Sequence, residues 1–405
     1  MLKNNVSLSV VSSGLDFDPN QFSGTDIERL NQAVLAASAN GGMLRIPRRK
    51  PDSVSDRTFW LIDAAILVPG EMTLIFENCK VKLSDQCRDN FIRSANCGIG
   101  ISEVLPLQNI HIAGVGKVVF EGADHPRASG DSGKVIGQRT YGTDAGKAGE
   151  SQNGDWRNHG ILLANVSGFQ IENIMVKDSH CWGITLEYCT NGTIRNIRFE
   201  STGKRLIDGQ LVTILNQDGL DLRRGCRNIV IDGIVGYSGD DLVALTGIKP
   251  KMPSPSGTLT TSGVCNFPEP ERQDICNIVI RNVQGYCAGG HNIVRFLNSQ
   301  GVKLHHILLD GLMDSSPEEL RCAAALKIGD TNYGGLAAVG ETYAIIVKNI
   351  YSRAQRPINL VGSLSDSLID GVLNLNPESE PCVIANPEIV RNVDFLSMKT
   401  ISSQQ

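Results

Sequence analysis

Apolar and polar residues alternate along the chain in eight short segments that share one pattern. Each segment reads apolar, any residue, apolar, polar, Asn or Gly, and apolar again. The segments are NIHIAGV, GFQIENI, GTIRNI, NIVIDGI, NIVIRNV, HILLDGL, AIIVKNI and DSLIDGV. Because successive side chains of a strand point to opposite faces, each segment predicts a short strand with one face toward a core. The Asn or Gly after the strand suits a tight turn with positive φ.

The spacing of these segments predicts how the strands are arranged. Their central apolar residues are Ile112, Ile171, Ile194, Ile231, Ile280, Leu309, Val347 and Ile369. The intervals of 59, 23, 37, 49, 29, 38 and 22 residues indicate a coil of roughly 22 to 30 residues, sometimes doubled and sometimes carrying an insertion. No helical period long enough for a strand-helix-strand crossover lies between them. We therefore expect an all-β, single-stranded, right-handed parallel β-helix that forms one domain over residues 1–405.

One helix is predicted, within an N-terminal cap over about residues 20–45. Thr25 and Glu28 form a capping box, and Gly41 supplies the C-terminal stop. The apolar face of the helix contains Ile27, Leu30, Val34 and Ala37. Since the open end of a solenoid exposes core and an unpaired strand edge, this helix is expected to cover that end.

Two segments interrupt the repeat. Residues 121–158 are polar and rich in Gly, and residues 247–274 are rich in Pro and Ser. Long insertions in a compact protein are commonly functional loops, and these two flank the best chemical motifs. We interpret them as walls of a cleft, with domain linkers as the weaker alternative.

The candidate chemistry lies in two acidic motifs, NQDGLD at residues 216–221 and YSGDDLVAL at residues 237–245. Asp218 and Asp240 are 22 residues apart, about one coil, so a solenoid would place them on neighbouring rungs about 4.8 Å apart. Asp240 and Asp241 would point to opposite faces of a strand, unless the chain bends after Gly239.

Three carboxyl groups this close cannot all ionise at low cost, so the pKa of at least one should rise and make it a proton donor. The other carboxylates would then activate water, which is the equipment of inverting glycoside hydrolysis. Two alternatives stay open. Acidic residues beside Gly are common turn formers, with about even odds for Asp221 and Asp232, and acidic clusters also bind cations such as calcium.

The order of four motifs resembles glycoside hydrolase family 28, the polygalacturonases. The blocks are NQDGLD, GDD at residues 239–241, GGH at residues 289–291 and LKI at residues 326–328. Specific motifs occur within residues 159–330, although the likeness covers most of the chain. The resemblance implies a pectin lyase-like right-handed β-helix and an inverting hydrolase that needs no cofactor and no metal.

The resemblance also implies residue roles. Asp240 would be the general acid, Asp218 and Asp241 would hold the attacking water, His291 would orient or tune the acid, and Lys327 would contact the substrate. Without the motif order, His291 is interpreted as a turn histidine and Lys327 as a solvated charge.

Further positions follow or depart from the family pattern. By resemblance, Asn216 would support Asp218 or bind a sugar hydroxyl, whereas Asn292 stands where a glycine normally follows the histidine. Residues 325–327 read Ala-Leu-Lys where galacturonate-active members have Arg-Ile-Lys. The missing guanidinium is a bidentate carboxylate partner that lysine does not replace.

Arg295 and Arg321 are candidates to replace this arginine, although neither occupies its position. Polygalacturonate is therefore a doubtful substrate, and glycoside cleavage is the firmer expectation.

Two other basic or aromatic clusters are candidate substrate contacts. In GDWRNHG, Trp156 and His159 are suited to stack on or bind a sugar and Arg157 to bind an anionic group. The alternative is core packing for Trp156 and a surface charge for Arg157. Arg223 and Arg224 follow the first acidic motif, where one of them is a candidate ligand for substrate and solvated charges are the alternative.

The composition of the chain narrows the classes of partner and the cellular location that we expect. The 38 basic and 43 acidic residues give a net charge of -5, which offers no footprint for nucleic acid or an anionic membrane. The N-terminus MLKNNVSLSV lacks a secretory signal, and no run reaches the ~20 apolar residues of a membrane span, so a cytoplasmic protein is expected. The eleven cysteines include no CxxC pair and are expected to be reduced and mostly buried.

Three functions remain at this point. The leading hypothesis is a hydrolase of an oligosaccharide or polysaccharide that contains uronate. A polysaccharide lyase or epimerase on the same fold would abstract a proton beside a carboxylate and would yield an unsaturated product or depend on calcium. A non-catalytic carbohydrate-binding β-helix would bind glycan without turnover.

Overall fold

The computed structural model describes residues 17–87, 89–98, 101, 103–126, 157, 159–248, 264–265, 267, 269–299, 301–331 and 335–401. These residues form one α-helix, α1 (Asp26–Ser38), and short 3-10 helices at Pro19–Gln21, Pro270–Arg272 and Pro387–Ile389. The strands are β1 (Met43–Pro47), β2 (Trp60–Ile62), β3 (Ile66–Val68), β4 (Met72–Glu77), β5 (Lys80–Leu83), β6 (Ile92–Ser94), β7 (Leu107–Val115), β8 (Val119–Glu121), β9 (Ile161–Ala164), β10 (Val166–Lys177), β11 (Ile184–Glu187), β12 (Thr190–Glu200), β13 (Lys204–Ile207), β14 (Gln210–Thr213), β15 (Leu220–Arg223), β16 (Arg227–Ser238), β17 (Val243–Gly247), β18 (Ile275–Cys287), β19 (Asn292–Asn298), β20 (Leu304–Asp314), β21 (Ala324–Ile328), β22 (Thr342–Ser352), β23 (Arg356–Leu360), β24 (Leu364–Asn374), β25 (Cys382–Ile384) and β26 (Val390–Thr400).

The strands stack into two long parallel sheets. The short-strand sheet has ten strands in the order β25-β23-β21-β19-β17-β15-β11-β9-β6-β3. The long-strand sheet has fourteen, with the path β1-β4-β7-β10-β12-β16-β18-β20-β22-β24-β26 and β2, β5 and β8 beside it. Successive coils add parallel strands to both sheets, and the first three coils each add a second strand to the long-strand sheet, so the chain folds as a right-handed parallel β-helix. This confirms the predicted fold class.

The eight central residues of the sequence repeat form one continuous stack inside the solenoid. Each pairs directly with the next one along the chain, and the stack runs on through Leu74 to Leu44 at one end and to Phe395 at the other. Every interval between them is therefore a single coil, and the prediction of doubled coils is wrong. A β-helix tolerates this variation because register depends on the strands, whereas the connections can lengthen on the surface.

The predicted turn residue lies inside a continuous long strand and bends it. It has positive φ in seven of the eight segments, at Asn173, Asn196, Gly233, Asn282, Gly311, Asn349 and Gly371. Asparagine tolerates this left-handed conformation and also hydrogen-bonds between coils. For example, the amide of Asn196 donates to Oδ1 of Asn173 over 3.0 Å.

The helix α1 covers the N-terminal end of the stack, as predicted. Thr25 and Glu28 form the capping box, and α1 packs against β1, β2 and β3. Its buried apolar residues are Leu30, Ala33, Val34 and Ala37. The helix ends before Gly41, and the amide of Gly42 donates to the carbonyl of Ala37 over 2.9 Å. This arrangement shields the first coil from water.

The excursions from the solenoid account for its longest coils. The two predicted insertions lie largely outside the described residues; residues 121–126, 157, 247–248, 264–265, 267 and 269–274 are described. A third excursion is the antiparallel hairpin β13-β14, which the repeat analysis did not predict. Arg205 of this hairpin donates to the carbonyl of Ala123, so the hairpin contacts the start of the first insertion.

The cysteines agree with the prediction that they are reduced and mostly buried. All eleven cysteines are free, and ten of them are buried in the core or beside it. No helix in the described ranges is long and apolar enough to cross a membrane.

Removing side-chain volume from the central stack should destabilise the protein strongly. Ile231 is fully buried between Ile194 and Ile280. We expect Ile231→Ala to lower the free energy of unfolding by about 2 to 5 kcal/mol, because a cavity forms that stacked neighbours cannot fill. Val230→Ala, on the outer face of the same strand, should cost under about 1 kcal/mol. Urea unfolding of both variants checks this, and equal losses would contradict the assignment of the two faces.

Candidate active site

Three loops bring the acidic motifs together at one edge of the short-strand sheet. Asp218 precedes β15, Asp240 and Asp241 lie between β16 and β17, and His291 precedes β19. Carboxylate oxygens of Asp218, Asp240 and Asp241 all lie within 4.8 Å of one another. The structure therefore brings together the three acids that were singled out in the sequence.

A close approach of glycines allows the bend at Asp240 and Asp241. A Cβ atom on Gly239 would lie 2.4 Å from Cα of Gly203, and one on Gly289 would lie 2.0 Å from the carbonyl oxygen of Gly239. Only residues without a side chain can pass at these distances. The bend after Gly239 therefore exists, and it keeps both aspartates out of a regular strand.

Gln217, which the sequence analysis did not single out, joins the loops around the acids. Its carbonyl accepts from the amides of Gly239 over 2.9 Å and Asp240 over 3.1 Å. Its fully buried side chain accepts from the amide of Gly203 over 2.8 Å and donates to the carbonyl of Ser179 over 2.5 Å. A glutamine beside a predicted catalytic aspartate is no sequence signal for this role, because every partner is distant in sequence.

Asp241 is the acid whose negative charge receives the most hydrogen bonds. Its Oδ1 accepts from the backbone amide of Asn292 over 3.1 Å and from the side-chain amide over 2.9 Å. Its Oδ2 lies 3.4 Å from the guanidinium of Arg295. Asn292, the departure from the family pattern, thus supplies a side-chain donor that glycine lacks, and a carboxylate accepts such hydrogen bonds strongly.

The two neighbouring acids are poised to carry protons. Burial raises the pKa of Asp218 well above its usual value, and the charges of Asp221, Asp240 and Asp241 raise it further. Burial and the charge of Asp241 raise the pKa of Asp240 to about 6, although His291 opposes this. Burial and the neighbouring negative charges therefore favour the protonated forms of Asp218 and Asp240 more than in water.

Asp221 is a fourth buried carboxyl in the site. It lies in β15 and is buried, which excludes the turn role that was its alternative in the sequence. Burial raises its pKa to about 8, with Arg223 acting in the opposite direction and Asp241 and Asp240 adding to the rise. Its neutral form is thus favoured at neutral pH.

Basic residues lie on the C-terminal side of the acids, where Arg295 pairs in register with Lys327 of the next coil. Asp330 joins them: its Oδ2 lies 2.9 Å from Arg295 and 2.7 Å from Nζ of Lys327. Arg295 thus contacts the acid cluster, as one of the two candidates to replace the family arginine. The other candidate, Arg321, bonds instead to Asn376 over 2.9 Å and lies in a different ion-pair group.

His291 and Asn216 flank the acids. His291 is exposed, and its backbone amide donates to Sγ of Cys287 over 3.2 Å. The charge of His291 lowers the pKa of Asp240, which places the imidazole within electrostatic reach of that acid. Asn216 is half-buried in a turn with a φ of 53° directly before Gln217.

The second candidate cluster precedes β9 and lies two coils nearer the N-terminus than Asp218. Trp156 is outside the described residues, and the carbonyl of Arg157 accepts from His180 over 2.9 Å. His159 is fully buried, stacks on Trp182 at 5.1 Å and hydrogen-bonds Thr185 over 2.8 Å. The predicted direct substrate contact by His159 does not fit this burial, because the imidazole lies behind Trp182.

The paired arginines are buried, contrary to their alternative interpretation as solvated surface charges. Arg224 is buried and lies 3.6 Å from the fully buried Glu187. Glu187 also accepts from the amides of Val264 over 2.8 Å and Cys265 over 3.0 Å. This group anchors Val264 and Cys265, at the end of the second insertion, to β11.

The three aspartates are also the side chains here that could ligate a cation. Both oxygens of Asp241 already face donors from Asn292 and Arg295. The guanidinium opposes a second positive charge at the same place, so the arrangement fits proton transfer better than cation binding.

No protein family matches the amino-acid sequence, and no curated protein matches it. Among solved structures, endo-xylogalacturonan hydrolase from Aspergillus tubingensis is similar, with a TM-score of 0.50 and 12% identity over 93% of this chain and 89% of that chain. Polygalacturonase from Erwinia carotovora ssp. carotovora matches with a TM-score of 0.49 and 15% identity over 94% and 93% of the two chains. The hyperthermoactive exopolygalacturonase from Thermotoga maritima matches with a TM-score of 0.49 and 13% identity over 94% and 91%. The likeness to the Aspergillus structure shows the fold, a parallel β-helix.

The raised pKa of Asp221 predicts a pH-dependent cost of burying this acid. Between its unfolded value near 3.8 and its folded value of about 8, the folded state holds a proton that the unfolded state releases, so stability falls as pH rises. Asp221→Asn should behave like the wild type at pH 4 and be more stable by about 1 to 3 kcal/mol at pH 8. Denaturant unfolding at both pH values tests this. Asp232→Asn serves as an exposed control, and an equal pH response in the two variants would contradict the buried, neutral Asp221.

Proposed function

We propose that the protein is a glycoside hydrolase that cleaves O-glycosidic bonds of an acidic or pectin-type oligosaccharide or polysaccharide with inversion. The observation that carries the proposal is the cluster of Asp218, Asp240 and Asp241, whose carboxylate oxygens lie within 4.8 Å of one another. In such a cluster, differences in burial and hydrogen bonding can make one carboxyl group a proton donor and another a base.

In this proposal Asp240 is the general acid. Burial raises its pKa to about 6, so the group holds a proton in mildly acidic solution and can release it to a leaving oxygen. It is less buried than Asp218 and Asp241, which leaves it open to a bound glycan. His291 tunes the acid through its charge.

Asp241 and Asp218 would hold the attacking water. Asn292 and Arg295 stabilise the charge of Asp241, so this carboxylate is the base that accepts the proton of the water. Oδ1 of Asp218 is buried and makes no hydrogen bond among the described residues, which leaves an acceptor or donor position for that water. Asn216 supports the loop of Asp218.

The substrate class is taken from the resemblance and from the name of the Aspergillus structure, an endo-xylogalacturonan hydrolase, with which the chain shares the fold. Lys327 and Arg295 lie on one side of the acids and are proposed to contact the sugar there. Their shared partner Asp330 neutralises part of this charge, so they offer an anionic group less attraction than free cations would.

Retention is the second candidate outcome, and the spacing of the carboxylate oxygens favours it. Inverting enzymes usually separate acid and base by ~6.5 to 9.5 Å, whereas retaining enzymes have ~5 to 5.5 Å. The oxygens within 4.8 Å here are closer to the retaining spacing. We nevertheless propose inversion, because a third carboxyl group can bind the attacking water beside the general acid and the base.

The test is proton NMR of the products from a panel of oligosaccharides containing uronate and rhamnose. We expect a first-formed product of inverted anomeric configuration, and Asp240→Asn should lower kcat by about 10² to 10⁴-fold because proton transfer to the leaving group is lost. Asp232→Asn, an exposed Asp-to-Asn control, should retain full activity. A retained anomer would replace the mechanism, a 4,5-unsaturated product would assign a lyase, and binding without turnover would assign a carbohydrate-binding protein.

The pH profile tests the role of His291. Since Asp240 must be protonated, kcat/KM should fall as pH rises through about 6. The charge of His291 lowers the pKa of Asp240, so His291→Gln should move the falling limb to higher pH by up to about one unit. A shift to lower pH, or an unchanged limb with reduced kcat, would contradict this electrostatic role.

A further inference from the structure

Arg223 is a buried cation to which the catalytic proposal assigns no role. It follows Leu222 in β15, whose leucines point into the core, so Asp221 and Arg223 point to the outer face where the acids lie. Only 5% of Arg223 is exposed, and within the described ranges it makes no hydrogen bond or ion pair. Its neighbour Arg224 differs, because Glu187 and the carbonyl of Cys265 satisfy it.

The guanidinium of Arg223 is held in place by stacking. Its Cζ lies 4.5 Å from the ring centroid of Trp182, and His159 stacks behind the indole at 5.1 Å. Thr185 hydrogen-bonds the imidazole over 2.8 Å, which fixes the order of the layers. A cation on an aromatic face keeps its in-plane N–H groups available for a planar acceptor.

The available donors of Arg223 are directed to one side. Nε of Arg223 is buried and makes no hydrogen bond within the described residues. The two terminal nitrogens also lack such a partner but are not fully buried, so they are accessible to solvent. An enclosed guanidinium without an anion is costly, and a carboxylate that enters the cleft would remove this cost. Asp221, whose neutral form is favoured, lies on the same face of β15 and can donate its proton to the same ligand.

The other cations of the cleft are already paired. Arg295 bonds Asp241 and Asp330, and Lys327 bonds the same Asp330. Two coils separate Arg223 from the position beside Arg295, which corresponds to about 10 Å along the solenoid at ~4.8 Å per coil. The positive charge that can bind a new anion is therefore at Arg223, in the coil of Asp218 and one coil on the N-terminal side of Asp240 and Asp241.

We infer that Arg223, stacked on Trp182, binds the carboxylate of a uronic acid unit on the N-terminal side of Asp240 and Asp241. This residue would then fix which way an acidic glycan lies in the cleft, and the paired cations on the C-terminal side would accept a less charged unit. The inference rests on the proposed function in that it takes the glycan as the ligand.

The experiment measures binding without turnover, by calorimetry on the full chain carrying Asp240→Asn. The probes are trigalacturonate and the same trisaccharide with its carboxyl groups reduced to primary alcohols. Adding Arg223→Gln should weaken binding of the acidic probe by about 10 to 100-fold and change binding of the reduced probe by less than about 2-fold. Arg223→Lys keeps the charge and loses the planar fork, so it should lose about 3 to 10-fold for the acidic probe alone.

Arg198→Gln is the matched control, since Arg198 is half exposed on the long-strand sheet and pairs with Glu200. It should leave both affinities unchanged. Equal loss for both probes would show that Arg223 only supports Trp182, and no preference of the parent protein for the acidic probe would overturn the inference. A protein that binds the acid through Arg223 without ever cleaving a glycan would contradict the proposed hydrolase alone.

Discussion

The in-register stacking of coils is the constraint on which the rest of this structure depends. Each strand pairs with the equivalent strand of the next coil, so a residue in one coil has a fixed neighbour in the next at about 4.8 Å. This geometry places Asp218 beside Asp240 and Asp241 although they belong to different coils. It also places Arg295 beside Lys327. The stacking of coils along one axis therefore brings the site residues together, and the core stack beneath them fixes their positions.

Burial next sets the chemistry of the acids. Asp218, Asp221 and Asp240 are shielded from water and have raised pKa values, whereas Asp241 lies against Asn292 and Arg295. Burial thus favours the protonated forms of three acids, whereas hydrogen bonds from Asn292 and Arg295 are directed at the fourth. The energetic cost of burying several acids falls on the stability of these coils, and the aliphatic stack is where that cost is offset.

Much of the fold was predictable because the core repeats. The residues from Ile112 to Ile369 share one pattern, and pattern plus spacing is sufficient to identify a solenoid. Doubled coils were predicted where the chain instead makes excursions, since sequence length does not distinguish a second coil from a loop. The hairpin β13-β14 lies in such a long interval. Of the site, the three acids were predictable from their spacing, whereas Gln217 and Glu187 were not, because their partners are backbone groups far away in sequence.

Besides its acidic residues, the site contains positive charges that differ between the two ends of the cleft. On the C-terminal side, Asp330 offsets Arg295 and Lys327 together, so two cations share one counterion. On the N-terminal side, an aromatic face supports Arg223 in place of an anion. An aromatic face stabilises a guanidinium without occupying its hydrogen-bond donors, whereas a carboxylate occupies them. The two sides therefore carry similar positive charges, but the hydrogen-bond donors of Arg223 are the more available to a new anion. An extended anionic ligand would thus bind in one preferred orientation.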